Sequence, residues 1–200
     1  MIEIPIPLAS GLRVVVADAN VLYSRALRDY LLYAADEDIV AVHWSPQILK
    51  DMADHLMANR PAFTEESARR LVDAMTDSFP AALVTPQVEH FQRLAGYTLP
   101  DDDDRDVMAT ALAIDTNIIC TSNMKHFPKA VMDDLGLVAM TPDSLFVQLI
   151  DDYLPQMVSA HRCAVKYFPG ATDASTVAAV RKAGARRTAD LLTAVLGLNE

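Results

Sequence analysis

Short apolar runs alternate with longer amphipathic stretches along the first three quarters of the chain, and that alternation sets the expected architecture. RVVVA at 13–17 is apolar and β-branched, the pattern of a strand buried on both faces, and VLYSRALRDYLLYAA behind it has helical periodicity. IVAVHW reads as a second strand. Ser45-Pro46 then opens a helix over PQILKDMADHLMANR, with Ile48, Leu49, Met52, Leu56 and Met57 on its apolar side. Thr64, Glu65, Glu66 and Ser67 carry a helix-start signature for 64–78, and LVTP at 83–86 reads as a brief strand. Further on, Val107, Ala109, Ala111, Leu112 and Ala113 form a small, apolar helical face, followed at once by the buried-type strand NIIC. PKAVMDDLG predicts a short helix closed by Gly136, LVAM another strand, and Thr141-Pro142-Asp143 the start of the helix SLFVQLIDDYL.

This βα alternation predicts an α/β domain with a mostly parallel central sheet between helices. Beyond Pro155 the pattern turns helical only: HRCAVKYF, DASTVAAVRKAG and ARRTADLLTAVLG, punctuated by Pro169-Gly170 and Gly184. The expected organisation is an N-terminal segment at 1–12, the α/β domain at 13–150 and a helical extension at 151–200.

Composition narrows the class. With 52% hydrophobic residues in 200, the chain has ample material for a core. The net charge of −10 excludes a general basic field of the kind that holds nucleic acid non-specifically. The acid is concentrated in residues 1–150, which carry 22 acidic and 11 basic side chains against 5 and 6 in 151–200. Cys120 and Cys163 have no paired spacing and read as reduced thiols. No basic leader and no long uncharged apolar run is evident, so a soluble cytoplasmic protein without membrane segments is expected.

Candidate chemistry sits at element ends. Asp18 follows the first strand, at the sheet edge where ligands bind in open α/β folds; it also suits a helix cap. Four aspartates, 101–104, stand at a helix entrance, where acids oppose the positive end of the helix dipole whether or not they hold an ion. Asp51 and His55 lie one turn apart on one helix.

Taken in order, Asp18 in VVVADANVL, Asp51 in SPQILKDMADHL, the DDDDRDVMATALA segment and CTSNMKHFP resemble the four signature blocks of PIN-domain ribonucleases. The resemblance is nearest to the VapC-type toxins of VapBC toxin–antitoxin systems with a C-terminal helical extension, and it covers residues 13–147. It implies a three-layer α/β/α PIN-like fold and a metal-dependent endoribonuclease that hydrolyses RNA phosphodiester bonds. Residue by residue, Asp18 matches the first acid. Asp51 stands where the family usually has Glu. Asp104 fits the third acid best, with Asp103 as the fallback, and Asn123 takes the place of the fourth acid. Asn20, Thr121 and Ser122 would support the site.

The implied cofactor is Mg²⁺ or Mn²⁺, held by Asp18, Asp104 and Asp51. Oxygen ligands favour such ions, and crowded carboxylates stay ionised only around positive charge. Arg25, Arg28, Arg105 and Lys125 are candidate RNA contacts, and Arg181, Lys182, Arg186 and Arg187 form a separate basic cluster. His126 replaces a common family Asp and has no assigned role. The implied partners are RNA, an antitoxin protein and a second copy of the chain in a homodimer. The alternative is a catalytically weak PIN scaffold that binds a partner protein, since Asn123 is neutral and Asp51 is one methylene short. Two other classes fit less well. DANV resembles the DxDx(T/V) loop of haloacid-dehalogenase-like enzymes, but Asn20 removes their general acid. A receiver domain needs an acidic pair and a later lysine that are not evident.

Overall fold

A computed structural model describes residues 12–198, so all but Leu12 of the expected N-terminal segment lies outside the described residues. Four strands form one parallel sheet: β1 (Arg13–Ala17), β2 (Val40–His43), β3 (Ile118–Cys120) and β4 (Val138–Met140), in the spatial order β2-β1-β3-β4. β1 is central. Val15 pairs with Ile118 on one side and Val42 on the other, and Val15, Val16 and Ala17 are fully buried, as a strand covered on both faces requires.

The connections are helical throughout, giving the α/β/α architecture with helices added at the C-terminus. α1 (Ala19–Tyr23) and α2 (Arg25–Asp36) follow β1 as two helices rather than the single amphipathic stretch read from the sequence. Ser24 separates them: it adopts extended backbone and its hydroxyl accepts from the Leu27 amide, a local bond that competes with helix continuation. α3 (Pro46–Asn59) is capped by Ser45, whose Oγ accepts from the Ile48 amide at 3.0 Å, and α4 (Glu65–Ser78) by Thr64. Ile48, Leu49, Met52 and Leu56 are buried as the periodicity requires, while Met57 is half-buried.

LVTP is not a strand. Only Leu83 bridges to Trp44, with Val84 N donating to the Trp44 carbonyl at 2.9 Å. The 3₁₀ turn Pro80–Ala82 before it and Pro86 after it leave no length for a ladder. A helix unread in the sequence, α5 (Val88–Leu94), follows and packs on α6 (Asp104–Ala113). α6 lies against β1 and β3. α7 (Lys129–Leu135) ends at Gly136, whose φ of 70° is a left-handed cap that a side chain would strain.

α8 (Pro142–Lys166) runs through Pro155 with a break at Tyr153 (φ −138°, ψ 46°). Proline lacks the amide for the preceding turn and its ring crowds it, so the helix kinks instead of stopping there. α8 packs on α2, and α9 (Asp173–Lys182) and α10 (Arg186–Leu196) pack on α8 and on each other. One apolar core is continuous from the sheet through Tyr30 and Phe146 to Met157, Val180 and Leu192. Fully buried His161 of α8 joins this contact through polar bonds: Nδ1 to Tyr30 Oη of α2, and Nε2 to Asp173 Oδ1 of α9 at 3.2 Å. Asp143, at the start of α8, accepts from Thr188 N at 2.8 Å and so covers the amino end of α10.

Candidate functional site

The carboxyl ends of β1 and β3 lie side by side, and their next residues meet. Asp18 N donates to the Cys120 carbonyl at 3.0 Å, which places the Asp18 side chain opposite Thr121. Thr121 Oγ1 donates to Asp18 Oδ2 at 2.6 Å, and Asn20 Nδ2 donates to the same oxygen. Asn20 also reaches Thr121 Oγ1 at 3.1 Å and accepts from Ser122 N at 2.8 Å, while Asn123 N donates to Thr121 Oγ1 at 3.0 Å. Asn20, Thr121, Ser122 and Asn123 therefore share one network with Asp18, built by the pairing of two parallel strands. Burial raises the Asp18 pKa above the ordinary carboxylate value, against the hydrogen bonds from Thr121 and Asn20.

Asp104 opens α6 and faces the same crevice. Burial first, and the Asp18 charge second, raise its pKa to about 6; the Asp101 charge adds to this and His126 opposes it. Its Oδ2 is buried and makes no hydrogen bond, although His126 Nδ1 lies 3.0 Å away. His126 Nδ1 is 3.8 Å from Asp101 Oδ2. Among the described residues, Asp101, Asp104 and His126 are the group of three whose ligand-type atoms fall within 4.8 Å of one another.

Asp51 and Asp103 face a different neighbourhood. Asp51, on α3, accepts from Gln47 Nε2 at 2.8 Å, and its pKa is raised by burial and then by the Asp103 charge. Asp106, on α6, accepts from Ser45 Oγ and is likewise raised by burial and by Asp51. By mutual charge effects the carboxylates fall into two sets, Asp18 with Asp104 and Asp101, and Asp51 with Asp103 and Asp106, and Asp18 stands outside the ligand group of Asp101, Asp104 and His126.

Asp101 enters the sequence reading only as part of the aspartate run, His126 is named there without a role, and Asp106 is not singled out. The signal for Asp101 was its i,i+3 spacing from Asp104 across a turn in which Asp101 Oδ1 accepts from Asp103 N. The signal for His126 is its place where the family commonly has Asp, and it reaches Asp104 through the 3₁₀ turn Met124–His126 after Asn123.

The candidate cations differ in availability. Arg28 is buried and donates Nη1 to the Leu22 carbonyl at 2.7 Å. Arg105 donates to the Leu94 and Tyr97 carbonyls, each at 2.7 Å, and to Asp102 Oδ1 at 2.9 Å. Both therefore hold the backbone in shape. Arg25 and Lys125 are exposed. In the C-terminal cluster Arg181 is paired with Asp190.

The donor set fits a divalent cation. Two buried carboxylates with raised pKa values, an adjacent half-exposed one, and a buried oxygen without a hydrogen bond form a pocket of negative charge that a hard cation relieves. The carboxylates suit Mg²⁺ or Mn²⁺, whereas the single imidazole is a ligand type of later transition metals.

The family model of the PIN domain matches residues 14–125, more than half of the chain, and the protein belongs to the PIN-domain family. PIN domains are generally nucleases that use divalent metal ions. No curated protein and no solved structure matches the chain. Among the described residues no helix is long and apolar enough to cross a membrane.

Proposed function

We propose that the protein is a divalent-metal-dependent endoribonuclease, the toxin of a type II toxin–antitoxin pair, acting in the cytoplasm. The observation that carries this reading is the pairing of Asp18 and Asp104: two buried carboxylates from separate elements, each with its pKa raised, in a chain whose PIN-domain match includes both. Buried like charges are costly unless a cation lies between them. Asp18 and Asp104 hold Mg²⁺ or Mn²⁺ in this reading, with Asp101 and His126 beside them and Asp51 acting at longer range. A bound ion of this kind lowers the pKa of water and offsets charge on a phosphoryl oxygen.

The remaining work falls to the chain. Thr121 and Asn20 orient the Asp18 carboxylate and keep Oδ2 engaged. Asn123 offers a neutral donor or acceptor at the attacking water or the phosphate. Asp51 positions that water or helps deprotonate it from the second acidic set. Lys125 and Arg25 take phosphates of the strand. Residues 13–150 form the nuclease domain and 151–200 the helical extension; the partners are RNA, an antitoxin that enters the acidic crevice and a second copy of the chain.

One observation favours a second reading, a PIN scaffold that binds a protein partner: neither Asp18 nor Asp51 belongs to the ligand group that Asp104 forms with Asp101 and His126. Cleavage of total RNA by purified protein with Mg²⁺ or Mn²⁺ separates the two. Products that disappear in both Asp18→Asn and Asp104→Asn are expected. No cleavage by the wild type with any divalent ion leaves the scaffold reading.

A further inference from the structure

α8 ends in two adjacent exposed aromatic side chains, Tyr167 and Phe168, with 59% and 46% of their surface open. Burial would favour both rings, so a pair left in solvent on a fixed turn needs an explanation. The turn is held by backbone bonds: Tyr167 N donates to the Cys163 carbonyl at 3.0 Å, and Ala171 N to the Phe168 carbonyl at 3.0 Å. Each ring is also oriented by a neighbour. The Arg25 guanidinium lies 3.9 Å from the Phe168 ring centre, Tyr33 stacks on Tyr167 at 6.2 Å, and Lys166 Nζ is 4.9 Å from the Tyr167 ring centre.

Two cations stand at these rings, Arg25 and Lys166, and Arg25 also pairs with Asp29 at 3.2 Å. The patch is joined to the acidic crevice along the chain: Asp18 caps α1, and Arg25 begins the helix after it.

We propose that the Tyr167–Phe168 turn, with Arg25 and Lys166, is a docking surface for single-stranded RNA, whose bases stack on the two rings while the cations meet its phosphates. Unpaired bases present flat faces to aromatic side chains, and cations beside the rings track the backbone without reading sequence. A protein of net charge −10 repels a polyanion over most of its surface, so a local cationic and aromatic patch selects where the strand lies. The inference rests on the nuclease reading for its biological setting, but the surface is testable without cleavage.

The test is the affinity of the full chain for a fluorescent uridine 12-mer, measured by anisotropy in EDTA so that no cleavage occurs. Tyr167→Ala/Phe168→Ala is expected to weaken binding about fivefold to a hundredfold, and Tyr167→Phe to preserve it. Arg25→Gln is expected to lower the magnitude of the slope of log affinity against log salt by about 0.7, one phosphate contact on a single strand. Photocrosslinking of a 5-iodouridine 12-mer to the wild type, mapped by mass spectrometry, is expected to mark Tyr167 or Phe168 and requires no substitution.

Unchanged affinity in the double alanine variant, or crosslinks confined elsewhere, overturns the docking surface. So does a wild-type dimer that the double variant converts to monomer at unchanged RNA affinity, because the patch is then an interface between copies. Cleavage by the wild type with unchanged binding by the double variant removes only the docking surface. Loss of binding in that variant, with a wild type that never cleaves, removes only the nuclease reading.

Discussion

At the scale of the residue, the Asp104 carboxyl stays protonated in the folded chain up to about pH 6, whereas its ordinary value is 3.8. Between these values the folded state holds a proton that the unfolded state releases. The resulting stability is present in acid and is lost as pH rises through about 6. Burial raises Asp18, Asp51 and Asp106 in the same direction. Metal-free protein is therefore expected to unfold at lower urea near pH 7.5 than near pH 5, with the decline reduced in Asp104→Asn. Mn²⁺ should restore stability at the higher pH, where it no longer competes with the proton. A urea midpoint that rises with pH in EDTA contradicts this. Thr121→Val removes the 2.6 Å bond to the Asp18 carboxylate and the acceptor for Asn123 N, and is expected to cost about 1–3 kcal/mol in denaturant unfolding.

At the scale of the element, the site depends on how strands and helices end. Ser45 both caps α3 and donates to Asp106 of α6, so it ties two helix starts together beside the second acidic set. Ser45→Ala is expected to destabilise the fold by about 1–2 kcal/mol, read as a shift in the urea midpoint at unchanged slope. Ser45-Pro46, Thr64 and Thr141-Pro142 were legible in the sequence because a cap is a local event: one side-chain oxygen meets an amide three residues on. β1 was legible for a similar reason, since β-branched residues without polar alternation leave no solvent face. LVTP was misread because an apolar quartet carries no information about whether a partner strand has room for it. The split at Ser24 was hidden by helical periodicity continuing on either side of the break.

At the scale of the whole molecule, the sheet order explains what the sequence held and what it did not. Asp18 could be placed at a strand end from its neighbours alone, and Thr121 and Ser122 from the strand before them. Their joining through Asn20 is a consequence of β1 and β3 pairing across about a hundred residues, which no local pattern encodes. The division of the acids into two sets is likewise tertiary. It depends on how α3 and α6 approach the sheet, and the place of His126 depends on the 3₁₀ turn after β3.

The C-terminal helices share the core of the α/β part through Tyr30, Phe146 and His161. Unfolding is therefore expected to be one cooperative transition. Trp44, the single tryptophan, is fully buried beside β2 and reports the sheet, while far-UV circular dichroism is weighted toward the helices. Coincident urea transitions by the two signals are expected; separate transitions mean that the extension unfolds independently.

The measurement that bears most directly on the paired acids is a calorimetric titration of Mn²⁺ into metal-free protein near pH 7.5, with Asp104→Asn in parallel. Saturable binding by the wild type that is lost or weakened at least roughly tenfold in the variant is the predicted result, since the variant removes a charged oxygen ligand. Absence of binding to the wild type, or equal binding by both proteins, contradicts a cation site built on Asp18 and Asp104.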